Sequence, residues 1–341
     1  MPRLSAEHLT GVATRILIAV GTPTDIAARV SEILVNADLA GHVSHGVARL
    51  PSYLEEVAEK KVAVTERPQV QRETPATAVL DARRGWGHFA ADRGMQIAID
   101  KARATGMGAV AIGRCPHIGR LGEYVEMAAR AGCVGLVTLG FGGRNLGWSA
   151  PHGGRDKMLM TNPIAIGVPV ANGPPFVLDF ATTTASRGKI KVAQVKGESL
   201  PEGWILDGQG RPSTNPEDFA AGGFLTFAGA HKGYALSLAA CLLGGLSGGF
   251  QAEHARMGGV YLQAMHVDAF QPAATYGSNA GQFLAAVRAS PPAASERPVL
   301  APGDLEAQSR ARRLEQGIDV PDKIWRGIES IANKYQVADM V

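Results

Sequence analysis

Gly106-Met107-Gly108-Ala109-Val110-Ala111 spells GxGxxA, the pattern of a dinucleotide phosphate loop, yet the sequence around it runs in the wrong order. A Rossmann phosphate loop follows a strand and opens a helix, because its glycines bring a pyrophosphate to the helix N-terminus. Here the helical stretch at 92–105 comes first and the apolar run Ala109–Ile112 comes after it, so the glycines end a helix and open a strand. With 42 glycines in the chain, chance matches of this kind are common. Any dinucleotide site in this chain must therefore be built in another way.

Outward from that stretch, Val79-Leu80, Ala109–Ile112 and Val134–Leu139 are short apolar runs separated by helical segments at 92–105 and 119–131, the texture of an alternating α/β core. Ile164–Val168 and Phe176–Leu178 flank Asn172-Gly173, a dipeptide favoured in tight hairpins, so the sheet is expected to be mixed rather than purely parallel. Both chain ends are helical. Leu9, Val12, Ile16 and Val20 share one helical face; Thr22-Pro23 starts a second helix, with Asp25 completing a capping-box pattern, and Val30, Ile33, Leu34 and Ala37 continue its stripe. Pro321 opens a last helix carrying Ile324, Ile328, Ile331 and Tyr335. Residues 291–298, rich in Pro and Ala, read as a linker. The expected organisation is a helical region over 1–75, completed by 300–341, and a mixed α/β core over 76–299 that holds cofactor and substrate.

The 341 residues are 45% hydrophobic and 19% charged, enough to bury a sizeable core. Lys plus Arg total 34 against 31 Asp plus Glu, with no block of like charge, which points away from a nucleic-acid or membrane footprint and leaves small anionic substrates open. Cys115, Cys133 and Cys241 are scattered and odd in number, so neither a disulfide framework nor a metal knuckle is expected, and a reducing, cytoplasmic setting fits. The N-terminus lacks the apolar core of a signal peptide. The most apolar run, Tyr234 to Leu246, is too short and too broken by glycine to span a bilayer and reads as a buried helix.

Four segments carry candidate chemistry. In Ser44–Tyr53, His45, Arg49 and Tyr53 stand four apart and would share one helical face, offering a proton near neutral pH, a bidentate fork for a carboxylate and a hydroxyl. A capping His45 and a solvated Arg49 explain the triplet equally well. His42 and His45 lack a third ligand of metal spacing, so no metal is expected. In Cys115–Tyr124, His117 follows the strand at 108–113, where open α/β sheets bind ligands, although a packed loop histidine is the plain alternative. In Phe176–Thr184, Asp179 ends an apolar strand and the threonines can cap a helix running through Lys189, whose N-terminus can hold a phosphate. Thr161-Asn162-Pro163, just before, reads as a polar turn. Finally, Lys232 precedes the apolar helix at 234–246, where the dipole disfavours a cation unless an anion is near or the side chain reaches solvent.

In order along the chain, SHGVARLPSY (44–53), HIGRLGEY (117–124), TNPIAIGVP (161–169), FVLDFATTTASRGKI (176–190), LPEGWILDGQGRPSTNP (200–216) and HKGYALSLAACLLGGLSGG (231–249) resemble the malate/L-lactate dehydrogenase type 2 family, over about Leu9 to Val337. That family includes malate, lactate, sulfolactate and ureidoglycolate dehydrogenases, diketogulonate reductase and reductases of piperideine or pyrroline 2-carboxylate. The resemblance implies a non-Rossmann dinucleotide-binding fold, NAD or NADP as cofactor, a small carboxylate substrate and a homodimer. It implies His117 as the catalytic proton donor and acceptor, with His45, Arg49 and Tyr53 around the substrate and Ser44 supporting them; Asp179, Phe180, Ala181, Lys232 and Gly233 resemble the nucleotide contacts. The sequence departs from the family at Met160, where a glycine is usual, and at Leu139-Gly140, where a polar turn is usual, and the loop Phe141–Trp148 is longer. The expected function is NAD(P)H-dependent hydride transfer to or from a small 2-oxo or 2-hydroxy carboxylic acid. A cyclic-imine reductase, or a catalytically silent binding protein on the same scaffold, are the alternatives.

Overall fold

The computed structural model describes residues 2–293 and 298–337, so residues 294–297 of the expected linker lie outside the described residues. The chain opens with β1 (Arg3–Leu4), α1 (Ala6–Ala19) and α2 (Thr24–Leu39), then two single 3-10 turns, Val43–His45 and Val47–Arg49, and α3 (Leu50–Ala58). Next come β2 (Gln69–Glu73), β3 (Thr77–Asp81), α4 (Gly87–Thr105), β4 (Met107–Gly113), α5 (Gly122–Arg130), β5 (Cys133–Gly142), β6 (Ile164–Val168) and β7 (Phe176–Phe180). A small unit follows: α6 (Arg187–Lys196), β8 (Ile205–Leu206), β9 (Pro212–Ser213), α7 (Pro216–Ala220) and β10 (Phe224–Leu225). The rest is α8 (His231–Gly244), β11 (Phe250–Gln251), β12 (Arg256–His266), α9 (Ala273–Arg288), α10 (Asp304–Gln316), β13 (Ile318–Asp319) and α11 (Asp322–Lys334).

The main sheet runs β2-β3-β4-β12-β5-β6-β7, with β11 beside β12. Only the β3/β4 pair is parallel among these pairings, so the sheet is mixed as the hairpin sequence predicts. Gly106 at φ +88° caps α4, and a Cβ on Gly108 would lie 2.0 Å from the Ala98 carbonyl, so both glycines serve the helix-to-strand corner. Side chains alternate across a strand. Thus Gly135 of β5 abuts Ala128 and Val125 of α5, while Gly140, of opposite parity, abuts Ala240 and Cys241 of α8. Helices α4 and α5 cover one face of the sheet and α8 covers the other.

Two hydrophobic cores result. One joins α4 and α5 to the sheet through Met95, Ile99, Ile112, Tyr124, Val137 and Leu262; the other joins the chain ends through Leu9, Ile16, Val30, Leu50, Tyr53, Ile328 and Ala332. Trp86, at the start of α4, belongs to the second core, and β2 belongs to the sheet although it lies within 1–75. A third, smaller cluster holds α6 and β8–β10 together around Ile190, Ile205 and Leu225.

Several local expectations are corrected. Thr22 makes no capping box: α2 starts after Pro23 without a side-chain cap, and the buried Thr22 hydroxyl instead accepts the Trp86 indole N–H at 3.0 Å. The threonines at 182–184 do not cap α6; Ser186 does, accepting the Lys189 amide, while Thr182 and Thr183 donate to the carbonyls of Thr161 and Ala185. The β6–β7 connection is longer than a two-residue turn, although Asn172 takes a left-handed φ of +58°. Most consequential, α8 is not buried all round. Gly233, Ser237, Ala240, Cys241 and Gly244 face the sheet, whereas Leu242 and Leu246 are 62% and 60% exposed. Small residues on α8 meet glycines on β5 and β12 so closely that a Cβ on Gly244 would lie 2.4 Å from the Gly259 carbonyl, which leaves the large leucines pointing outward. No helix among the described residues is long and apolar enough to cross a membrane.

Candidate active site

The chain leaves β4 through Arg114 in a left-handed turn and descends past Pro116 to His117. α4 starts directly against this loop, since a Cβ on Gly87 would lie 2.5 Å from the carbonyls of both Pro116 and His117. Tyr124 donates its hydroxyl to the Ile118 carbonyl and fixes the far side. On the helical side, His45, Arg49 and Tyr53 do not lie on one continuous helix as their spacing predicts. Gly46, at φ −90° and ψ −154°, separates two 3-10 turns, and α3 begins only at Leu50. Asp38 of α2 organises this break: its carboxylate accepts the Val47 amide at 2.8 Å, and a Cβ on Gly46 would lie 2.0 Å from its Oδ1.

Despite the broken helix, the predicted residues meet. The rings of His45 and His117 stack at 5.7 Å between centroids, and the Arg49 guanidinium lies 5.0 Å over the Tyr53 ring. Tyr53, buried in the terminal core, has its hydroxyl 2.7 Å from His117 Nδ1 and 3.3 Å from Nε2 of His88. The Gly119 amide also donates to His117 Nδ1, at 3.2 Å. Ser44 Oγ lies 3.0 Å from His45 Nδ1.

Burial with neighbouring cationic groups makes the cluster hostile to positive charge. Burial, then His42, Arg49 and Arg120, lowers the His45 pKa to about 4; burial, then His88, His45 and Arg49, holds His117 well below the ordinary imidazole value. Burial raises the Tyr53 hydroxyl to about 12. Among the described residues, Nε of Arg49 is buried without a hydrogen-bond partner, as are Nε and one terminal nitrogen of Arg120. A cluster of neutral imidazoles beside under-partnered guanidinium groups is built to receive an anion. The thiols take no such part: all three cysteines are buried, and burial pushes Cys115 up to about 12.

The second group of predicted residues gathers elsewhere on the sheet. Asp179 of β7 accepts the Gly122 amide at 2.7 Å and lies 3.9 Å from Arg120, so its carboxylate holds the first turn of α5 to the sheet. Phe180 is exposed at the end of that strand and Ala181 is half-buried. The Ala228 amide donates to the Thr182 carbonyl, and a Cβ on Gly233 would lie within 2.6 Å of the Ala228 and Thr182 carbonyls, so the 180–182 and 228–233 segments cross in contact. Lys232 is exposed in the first turn of α8, which holds no acid.

Sequence reasoning gave no role to three residues that matter here. Arg120 sits inside the HIGRLGEY motif and bonds Glu126 at 2.8 Å, its charge bridging Asp179 and the histidine loop. His88 is a lone histidine after Trp86-Gly87, with no pattern to single it out. Asn162, in sequence a turn residue, is buried, accepts the Phe141 amide at 2.9 Å and donates to Ser237 Oγ at 2.8 Å, clamping β5 to α8. Leu139-Gly140, where the family resemblance implies a polar turn, continue β5, and the loop beyond is tied down by Trp148, whose carbonyl accepts the Leu225 amide and whose ring lies under Arg187 at 5.2 Å.

Residues 4–329 match the model of the malate/L-lactate dehydrogenase family. The chain belongs to that family. An L-sulfolactate dehydrogenase from Methanothermobacter thermautotrophicus is 33% identical over 98% of both chains. Among solved structures, malate dehydrogenase from Entamoeba histolytica superposes with a TM-score of 0.91 at 26% identity, covering 98% of each chain. A delta1-piperideine-2-carboxylate reductase from Pseudomonas syringae pv. tomato superposes with a TM-score of 0.86 at 29% identity, covering 97% of this chain and all of that one. This malate/L-lactate dehydrogenase family member is therefore an oxidoreductase, a hydroxy acid dehydrogenase.

Proposed function

We propose that the enzyme transfers a hydride between NAD or NADP and a small 2-oxo or 2-hydroxy carboxylic acid, with His117 moving the proton. The observation that carries this reading is the state of His117: Nδ1 is engaged by the Gly119 amide and the Tyr53 hydroxyl, which leaves Nε2 as the nitrogen available to a substrate, beside His45 and the under-partnered Arg49.

Nicotinamide cofactor binding fits the residues at the second group. An exposed Lys232 at a helix N-terminus lacking acids calls for an anion such as a diphosphate, and the exposed ring of Phe180 lies on the strand that leads into the same crossing. Lys232, with the backbone at Phe180, Ala181 and Gly233, would hold the cofactor, while the Asp179 carboxylate supports the site through Gly122. The cofactor supplies the hydride.

In the reductive direction Arg49 pairs with the substrate carboxylate, and Ser44 steadies the His45 ring against His117. The neutral His117 delivers its Nε2 proton to the oxygen on C2 while Nδ1 takes the proton that the Tyr53 hydroxyl directs at it, so the ring stays neutral, and Tyr53 regains a proton from water as product leaves. In oxidation the steps run in reverse, Nε2 taking the hydroxyl proton as Nδ1 returns one to Tyr53. Acting on an imine, His117 would protonate nitrogen instead; the likeness to a piperideine-2-carboxylate reductase favours this as the second reading. The outward leucines of α8 suit a homodimer, and three free, buried thiols suit a reducing cytoplasm.

Pyruvate, oxaloacetate, sulfopyruvate and piperideine 2-carboxylate, each assayed with NADH and with NADPH at the nicotinamide absorbance band, test the proposal. Oxidation of cofactor by at least one 2-oxo acid is expected. Turnover of the cyclic imine alone moves the assignment to the second reading, and no turnover of any of them rejects both.

A further inference from the structure

His88 sits in the first turn of α4, wholly buried, and its Nδ1 has no hydrogen-bond partner among the described residues. Its one hydrogen-bond contact among the described residues is Nε2 to the Tyr53 hydroxyl, at 3.3 Å. A half-paired imidazole is an expensive way to fill a core, since an apolar ring of the same shape would leave no polar atom unmet. The loop accommodates it closely: a Cβ on Gly119 would lie 2.9 Å from the His88 ring. The charged and titratable groups facing this ring are Arg49 and Tyr53 from the segment 49–53, His45 from the preceding turn, and His117 from the loop after β4.

The hydrogen-bond directions along this row are not free. The Gly119 amide points its N–H at His117 Nδ1, so in the neutral ring Nδ1 accepts and the proton stays on Nε2. The Tyr53 hydroxyl, 2.7 Å from that same Nδ1, must then turn its proton toward His117. With its proton so directed, Tyr53 Oη presents lone pairs to His88, and Nε2 of His88 must be the donor. Each link fixes the next.

We propose that His88 is a positioning residue: by donating to Tyr53 it holds the tyrosine hydroxyl on His117 Nδ1, and so joins the Gly119 amide in keeping the His117 proton on Nε2, the nitrogen that meets the substrate. This rests on His117 being the proton-transfer group. A residue acting this way alters proton transfer without touching either substrate, and its effect passes through one oxygen atom.

The test is a double-mutant cycle with a tautomer measurement. His88→Phe should lower kcat for reduction about tenfold, the size of one hydrogen bond made effective in the transition state, with KM for the 2-oxo acid and the cofactor near wild type. His88→Gln, whose amide N–H can reach the same oxygen, should restore most of the loss. In a Tyr53→Phe background the His88→Phe effect should vanish. Two-bond 1H–15N spectra of the 15N-histidine-labelled wild-type enzyme should place the neutral His88 and His117 protons on Nε2. Wild-type kcat in His88→Phe, a loss of equal size with and without the Tyr53 hydroxyl, no recovery in His88→Gln, or a His117 proton on Nδ1 would each overturn the inference. Full turnover by His117→Ala would instead reject the reading on which it rests.

Discussion

The site's histidines are uncharged because they are buried, and this has a consequence for stability. An unfolded imidazole titrates near ~6.5, whereas His45 and His88 titrate at about 4 and about 3 in the folded chain. Below about pH 6.5 the unfolded chain therefore binds protons that the native chain refuses, so the stability these residues contribute is complete above that pH and is lost as pH falls. Asp38 has the opposite sign: burial raises it to about 7, so it favours the native state at low pH and its contribution is lost as pH rises toward 7. The clean observable is a difference between variants. Between pH 6.5 and 4.5 the stability of His88→Phe, measured by urea denaturation, should fall less steeply than wild type, by as much as about 1.4 kcal/mol per pH unit. Equal slopes would mean that His88 is charged in the native state.

At the scale of elements, the turn at Gly46 decides whether the His45–Arg49–Tyr53 row reaches the sheet. Alanine there would press on the Asp38 carboxylate and displace it from the Val47 amide. Gly46→Ala should destabilise the protein by about 1–3 kcal/mol in urea denaturation and raise KM for the acid, and a variant with wild-type stability and KM would show that the turn bears no load. That row also marks what was legible in the sequence. The four-residue spacing of His45, Arg49 and Tyr53 drew attention to residues that do converge, but it implied one helix, because spacing reports periodicity and not the close approach that forces a break at Gly46. Strands β4 to β7 and the mixed sheet were readable from short apolar runs and the Asn172-Gly173 turn. The orientation of α8 was not, since an apolar sequence does not say whether its leucines or its alanines and glycines face the sheet; glycines on distant strands decide that. His88 and Arg120 matter only through neighbours remote in sequence, so no local pattern announced them.

Across the whole molecule, the chain ends wrap back to form one core and the middle of the chain forms the other, and the candidate site lies where Tyr53 from the first meets His117, on the loop whose Cys115 and Ile118 belong to the second. The exposed Leu236, Leu238, Leu242 and Leu246 of the α8 segment are a further whole-molecule feature, an apolar stripe of the kind that pairs subunits. Sedimentation should give twice the 35.7 kDa chain mass for the wild type and the chain mass for Leu242→Glu; a variant that sediments as the wild type does would place the dimer contact elsewhere. The meeting of the two cores at His117 is tested most directly by steady-state kinetics of His117→Ala on whichever 2-oxo acid the enzyme reduces, with cofactor binding measured alongside. kcat should fall by about 10²–10⁴-fold while the cofactor dissociation constant stays close to wild type; turnover equal to that of the wild type would contradict the account.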